Sequence, residues 1–431
     1  MIAMFAGDRM PWAKCQDTPS SQIETGSLGY SLNIPGIVCQ YFLKLERLAL
    51  FKSFTEPDTW FTHMNRLRLA SILAVSALAG ASPIYTLADL GTLGGSSAVA
   101  SGVNDVGQAV GTMTTPSGFM NAFSFSGSSL TSLSPATAAQ ANGINNTGQV
   151  AGSQDIGGQS YATVWNNGVA TAVAGAGSYG MAINNSGGVA GMLVNNGQGN
   201  AFVAENGTVI DLGTFSGGSW TAAYGLNDDG QAAGYGMTGN GSFRAFIWTA
   251  SQGYSVLGTL GGASSYAMAI NDSGMAAGTS QISSGYMHAF VSNGTSLQDL
   301  GTLGGSSSYA YGINNLGNVV GYSGTGSGQM DGFLDEGGVM YDINALLIDA
   351  PGWTITELYG INDSNQVVGV GVLNGVEHAV LLTDPPPPAG ETSSSSSSTA
   401  ATPEPAAWIC TFAGLGALIV RRRLRQSELG R

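Results

Sequence analysis

Residues 312–321 read "GINNLGNVVG", and close versions of this phrase recur along the chain: "GVNDVGQAVG" from Gly102, "GINNTGQVAG" from Gly143, "AINNSGGVAG" from Ala182, "GLNDDGQAAG" from Gly225, "AINDSGMAAG" from Ala269 and "GINDSNQVVG" from Gly360. The residue after the first asparagine is always Asn or Asp: Asp105, Asn146, Asn185, Asp228, Asp272, Asn315 and Asp363. Two residues later six versions have Gly, and the seventh has Asn365. A chain reversing between antiparallel strands through a type I turn needs a left-handed residue to close it, and Gly or Asn meets that need. Each phrase therefore reads as a hairpin.

The first asparagines, Asn104, Asn145, Asn184, Asn227, Asn271, Asn314 and Asn362, are 41, 39, 43, 44, 43 and 48 residues apart. A period of this length made of short strands is the signature of β-propeller blades. The sixth unit divides into four strands, "YAYGIN", "NVVGYS", "GFLDE" and "VMYDI", separated by Gly-rich turns. After each turn stand two small aliphatic residues and a glycine, as in Val319-Val320-Gly321 or Ala232-Ala233-Gly234. Such runs do not alternate, so these strands are expected to be covered on both faces. A solenoid could cover them as well.

Closure separates the two architectures. Residues 84–90, 297–303 and 339–346 resemble one another as fourth strands, so the repeats begin with a fourth strand and end, at 378–382, with a third. Seven complete blades result only if the first strand pairs with the last unit, which removes the open edges that invite aggregation. The expected fold is an all-β, seven-bladed β-propeller over residues 82–383, with four-stranded repeats and a ring closed by the N-terminal strand.

Composition narrows the function. The chain has 431 residues, 66 of them Gly, with 9% charged residues and a net charge of −14. Residues 82–383 hold 17 acidic residues and one base, Arg244. Affinity for phosphate backbones comes largely from Lys and Arg, so nucleic acid is excluded as a partner. The three cysteines, Cys15, Cys39 and Cys410, all lie outside the repeats, which therefore hold neither a disulfide nor a thiolate metal site.

The flanks carry processing signals. Met64 opens "MNRLRLASILAVSALAGASP", with a basic start, an apolar stretch and the small-x-small site Ala79-Gly80-Ala81. Residues 64–81 read as a signal peptide cut after Ala81 by signal peptidase, which makes residues 1–63 an overextended gene start. The competing reading is a cytosolic extension followed by a membrane anchor. Residues 384–402, rich in Pro and Ser, read as a linker. Beyond them come Pro403-Glu404-Pro405, a 15-residue apolar run from 406 to 420, and Arg421, Arg422, Arg423 and Arg425. The arginines are expected to stay in the cytoplasm.

This tail resembles the PEP-CTERM sorting signal of Gram-negative bacteria, which implies Pro403, Glu404 and Pro405 as the motif of the protease exosortase. A permanent single-span anchor is the alternative, and the apolar run is short for one. The repeats in turn resemble the HAF repeat of bacterial extracellular proteins. The triplet His288-Ala289-Phe290 and the element "DLGTLGG", at Asp89 and Asp299, carry that resemblance. Tyr161-Ala162-Thr163, Asp331-Gly332-Phe333 and His378-Ala379-Val380 depart from it. It implies secretion to the cell surface, with the tail as a transient inner-membrane anchor, and transfers no catalytic residue.

No Gly-x-Ser-x-Gly, HExxH or Walker motif is present. His288 and His378 occupy one repeat position, which elsewhere holds Asn121, Tyr161, Asn200, Arg244 and Asp331, and so read as surface residues. Asn227-Asp228-Asp229-Gly230 lacks the alternating ligands of a calcium loop and reads as a turn. The expectation is a non-enzymatic extracellular binding or matrix module without cofactor or metal, associated with exopolysaccharide or biofilm. The alternative is a carbohydrate-active propeller enzyme, a glycoside hydrolase or lyase, in which carboxylates such as Asp211, Asp299 and Asp342 would have to meet.

Overall fold

The computed structural model describes residues 20–24, 31–35 and 84–384, apart from 135, 136, 196, 216 and 295. It separates into two units, Ser82–Ser395 and the two flanks Met1–Ala81 and Ser396–Arg431. In the flanks Ser20–Glu24 pairs antiparallel with Ser31–Pro35. The signal-peptide residues Ala79 and Ala81 and the tail residues Pro403, Glu404, Pro405, Arg421, Arg422 and Arg423 lie outside the described residues. Among the described residues no helix is long and apolar enough to cross a membrane.

The described residues 84–384 are all-β, built of four-stranded antiparallel sheets in sequence order. In the sixth repeat Gly304–Ile313, Val319–Thr325, Met330–Glu336 and Val339–Asp342 pair consecutively. One parallel bridge, Gly199 to Trp220, fuses the third and fourth repeats into an eight-stranded sheet. The last sheet takes three strands from the end of the repeats, Trp353–Ile361, Val367–Leu373 and Val376–Thr383, and its fourth from the beginning, Thr86–Gly91. There Leu87 faces Leu382 and Asp89 faces Val380. Thr86 Oγ1 adds a bond to the carbonyl of Thr383 at 3.1 Å.

The quoted phrase forms its hairpin as the sequence requires. Asn314 N–H donates to the carbonyl of Asn318 at 3.1 Å, and Gly317 N–H to that of Asn314 at 3.0 Å. Gly317 has φ 84°, and Asn365, which replaces glycine in the seventh version, has φ 56°. Asparagine tolerates the left-handed region better than other non-glycine residues, which is why it alone substitutes here.

Burial runs between sheets. Ala277 and Ala289 of one repeat pack with Ala310, Ile313, Val319 and Phe333 of the next. The third-strand phenylalanines Phe123, Phe202, Phe246, Phe290 and Phe333 are fully buried, each worth about 2–3 kcal/mol by transfer. In the second repeat Thr163 takes that place, and Trp165, two residues on, fills the space instead.

A buried hydroxyl ties the recurring motifs together. Ser308 Oγ accepts the N–H of Ala289 at 2.8 Å and donates to the carbonyl of Gly301. Ser265 does the same for Ala245 and Gly258 at 3.0 and 2.8 Å. The His-Ala-Phe triplet, the Asp-Leu-Gly element and the following serine therefore co-occur because the serine side chain bonds the other two. The fourth strands end earlier than the sequence suggests, at Asp299 and Asp342. Asp299 Oδ1 accepts Gly301 N–H at 2.8 Å, and Asp342 Oδ1 accepts Asn344 N–H at 2.9 Å, so each carboxylate turns the chain out of the ladder.

Candidate functional site

The first asparagine of each phrase is buried and reaches into the next repeat. Asn104 Nδ2 donates to the carbonyl of Asn145 at 2.9 Å, Asn145 to Asn184 at 3.0 Å, and Asn184 to Asn227 at 3.1 Å. Asn227, Asn271 and Asn314 continue to Asn271, Asn314 and Asn362, each at 3.0 Å. Asn362 then donates to Asn104 at 2.8 Å, and the series returns to its start. The Oδ1 atoms hold the local turns, as Asn314 does for Asn318 N–H at 2.9 Å. Sequence reasoning explained the glycine of the phrase and missed this role for the asparagine, although its invariance across the copies was the available signal.

A second series lies just outside it. Asp105 N–H donates to Asn146 Oδ1 at 3.0 Å, and this pattern also runs round to Asp363 N–H on Asp105 Oδ1 at 3.0 Å. The two rows and the adjoining Ile, Val and Leu side chains line a cavity of about 160 Å³. Its carboxylates are engaged by neighbouring amides: Asn146 Nδ2 donates to Asp105 Oδ2 at 2.7 Å, Asn185 Nδ2 to Asp228 Oδ2 at 2.8 Å, and Asn315 Nδ2 to both Asp272 and Asp363. This mouth is a structural clasp. Among the described residues no cluster of three or more His, Cys, Asp or Glu could hold a metal ion.

The carboxylates singled out from sequence do not meet. Asp211, Asp299 and Asp342 stand in separate sheets, each held within its own repeat. Asp211 accepts from Asn200 Nδ2 at 3.0 Å. Asp299 pairs with His288 Nδ1 at 2.9 Å, and the same pairing joins His378 to Asp89 at 3.0 Å. Asp342 lies near Asp331, whose carboxyl is held above the usual range by burial and by that neighbouring charge.

A different constellation forms where first and second strands of the last repeats adjoin. Tyr359 donates its phenol hydrogen to Glu357 Oε2, two residues before it on the same strand. Tyr311 packs edge-on against Tyr359 with centroids 5.1 Å apart. Tyr322 stacks on Tyr311 at 5.6 Å and on Tyr309 at 4.9 Å. All five side chains are half-buried, so the patch is open to solvent on one side. Burial pushes the Tyr359 phenol well above its ordinary value, and the hydrogen bond and charge of Glu357 push it further. Burial also raises Tyr322, with contributions from Tyr311 and Glu357. Glu357 stands five residues before the buried asparagine, where the other repeats carry Val99, Gln140, Tyr179, Ala222, Tyr266 and Tyr309. Aligning the repeats would have singled it out as the one carboxylate at that position.

A phenol sharing its proton with a carboxylate, framed by aromatic rings, can supply a nucleophilic oxygen together with the base that activates it. The rings add flat apolar faces edged with hydroxyls, a surface suited to amphipathic rings such as sugars.

No family model and no curated protein matches the sequence. Among solved structures, the β-propeller domain of the Trilobed protease from Pyrococcus furiosus is similar at 9% identity, with 67% of this chain and 94% of that chain covered and a TM-score of 0.44. The acylaminoacyl peptidase of Pyrococcus horikoshii is similar at 11% identity over 67% of this chain and 51% of its own length, TM-score 0.43. A gluconolactonase from Xanthomonas campestris follows at 9%, covering 69% and 89%, TM-score 0.33. The chain spans about half the length of the peptidases it resembles. At these identities the likeness concerns fold and transfers no residue or substrate. Against the expectation of a non-enzymatic extracellular module, the solved structures similar to this fold include peptidases, a sialidase and a gluconolactonase, and the expectation is corrected to that extent.

Proposed function

We propose that this protein is a carbohydrate-active propeller enzyme of the glycoside hydrolase type, with Tyr359 as nucleophile and Glu357 as its base. The observation that carries this reading is the phenol-to-carboxylate hydrogen bond within the open aromatic patch. Glu357 withdraws the phenol proton as the Tyr359 oxygen attacks the anomeric carbon, the glycosidic bond breaks, and water at the open side protonates the leaving oxygen. The hydroxide so formed attacks the anomeric carbon and breaks the glycosyl–tyrosine bond, and Glu357 returns the proton to the departing Tyr359 oxygen. Burial and the charge of Glu357 raise the proton affinity of Tyr359, so the phenol stays protonated in the resting site and gives up its proton only as its oxygen bonds to the anomeric carbon. Tyrosine nucleophiles are a known departure from the two-carboxylate scheme. A lyase acting on uronates is disfavoured, since Arg244 is the sole base of residues 82–383 and the tyrosine patch itself holds none.

The test is turnover of a panel of 4-nitrophenyl glycosides, whose good leaving group needs no acid. Tyr359→Phe and Glu357→Gln are each expected to lower kcat/KM about 10²- to 10⁴-fold with melting temperature retained. No turnover of any glycoside by the wild type, or full activity in Tyr359→Phe, would overturn the assignment.

The finer architecture belongs to the same proposal. Residues 82–383 form seven blades closed into a ring by Thr86–Gly91; the pairing of that strand with Val376–Thr383 and the Asn362-to-Asn104 bond support this. The resemblance to HAF repeats and to the PEP-CTERM tail supports export, with signal peptidase cutting after Ala81 and exosortase acting at Pro403-Glu404-Pro405. The 15 apolar residues of 406–420 would rise about 22 Å as a helix, against a hydrocarbon core of about 30 Å, so the tail suits processing better than lasting anchorage. Glu404→Ala is expected to trap a longer, membrane-bound form, read by fractionation and immunoblotting. Wild-type protein found wholly in the inner membrane with its arginine tail intact would refute it.

A further inference from the structure

A second aromatic surface lies two repeats before the Tyr359 patch. Trp220 and Tyr235, on the first two strands of the fourth repeat, have ring centroids 5.2 Å apart. Phe243, on the third, stands edge-on to Trp220 at 6.0 Å and tilted on Tyr266 of the fifth repeat at 5.5 Å. Tyr235 and Tyr266 meet at 4.8 Å. Core packing is the ordinary explanation for such a cluster, and it fails here. None of the four belongs to the apolar clusters between these sheets, which are built from Phe215, Phe246, Trp248 and Tyr254 on one side and Ile247, Leu257 and Phe290 on the other. All four rings are half-buried and pack chiefly on each other.

The surface is related in position to the Tyr359 patch. Tyr224 stacks on Tyr235 at 5.1 Å with hydroxyls 3.1 Å apart. Tyr266 holds the first-strand position that Tyr309 and Glu357 hold in the next two repeats, each opposite the residue that follows the glycine of its second strand. The two patches thus stand at matching positions of successive repeats, and beside Phe243 the only base of the repeats, Arg244, is held by the carbonyls of Phe243 and Ala263.

We propose that Trp220, Tyr235, Phe243 and Tyr266 form a distal saccharide subsite that holds a neutral sugar unit of the chain cleaved at Tyr359. This rests on the reading of Tyr359 and Glu357 as the catalytic pair, and it makes the substrate an oligosaccharide or polysaccharide of uncharged sugars. Aromatic faces take the apolar face of a pyranose, and Tyr235 and Tyr266 carry phenol hydroxyls able to bond to sugar hydroxyls. A polyanionic chain is disfavoured because the repeats carry 17 acidic residues and one base.

Affinity electrophoresis of the Glu357→Gln variant, through gels containing a soluble β-glucan, α-glucan, galactan, mannan or xylan, reads binding without turnover. Retardation in at least one neutral gel is expected, with the apparent affinity falling about tenfold in the double variants carrying Trp220→Ala or Phe243→Ala. Melting curves of both double variants verify folding, and the milder Trp220→Tyr is expected to restore most of the retardation. Absence of retardation in every gel, undiminished retardation without Trp220 and Phe243, or stronger retardation by a polyuronate would overturn the subsite. Wild type that cleaves no glycoside yet shows Trp220-dependent retardation would sink the catalytic pair and leave the binding surface standing, so the two failures are distinguishable.

Discussion

Deletion of residues 86–91 is expected to unfold the whole of residues 84–384 cooperatively rather than fray one end. The strand supplies Leu90, which is 4% exposed, and Leu87 to the seams on either side of the last sheet. It also supplies Asp89 to His378 at 3.0 Å. Two leucines are worth about 2 kcal/mol each by burial, and four or five ladder bonds about 1 kcal/mol each. The sum, roughly 8 kcal/mol, rivals the 5–15 kcal/mol that holds a typical domain together. In a closed ring the loss is shared, because the last sheet then loosens against both the sixth repeat and the first. At about 2 °C per kcal/mol for a domain of this size, melting is expected to fall by roughly 15 °C or more, with aggregation through the uncovered edge of Val376–Thr383. A synthetic peptide spanning 84–95, added in trans, is expected to recover part of the loss. A truncated protein that melts like the intact one would mean that the ring does not depend on this strand.

How much of this was legible in the sequence depends on the kind of constraint. Backbone geometry leaves a local mark, so the turn at Gly317 and its Asn365 replacement could be read directly. Periodicity gave the sheets, since each repeat needs the same four strands in the same order. Non-local hydrogen bonds leave no mark within one repeat. Asn314 reaches Asn362, 48 residues away, and Ser308 ties Ala289 to Gly301; only the copies compared side by side point to such residues. The candidate site was hidden for the opposite reason. Glu357 breaks the repeat pattern, whereas Tyr359 shares its position with Tyr224 and Tyr311, and attention fixed on the quoted motifs passes over both. Of the carboxylates that the motifs did emphasise, Asp299 ends its strand and Asp211 bonds Gly213 N–H at a register shift, and both stay within their own sheets.

The glycine that ends the phrase offers a sharp test of how the first two strands of each repeat meet. A β-bulge between Ala310 and Gly312 pushes the first strand toward the second, opposite Gly321. A methyl group added at Gly321 would sit on the carbonyl oxygen of Tyr309, closer than any non-bonded pair can come, with Ala310 Cα and Phe333 Cε1 both 2.9 Å away. Two of these neighbours are backbone and the third is the fully buried ring of Phe333, so nothing can move aside cheaply. Relief requires either breaking the bulge or displacing the core ring, and overpacking of a tight interior costs about 1–3 kcal/mol before any ladder bond is lost. Gly321→Ala is therefore expected to destabilise by roughly 4 kcal/mol or more, the range reserved for a named steric conflict. Gly175→Ala is the control, since a methyl there meets nothing within 4 Å and the backbone is not left-handed. That variant is expected to stay within about 0.5 kcal/mol of wild type. Urea unfolding of both proteins measures the difference. Equal midpoints would show that the first strand yields at the bulge, and that the small residue of the phrase reflects something other than contact with the Tyr309 carbonyl.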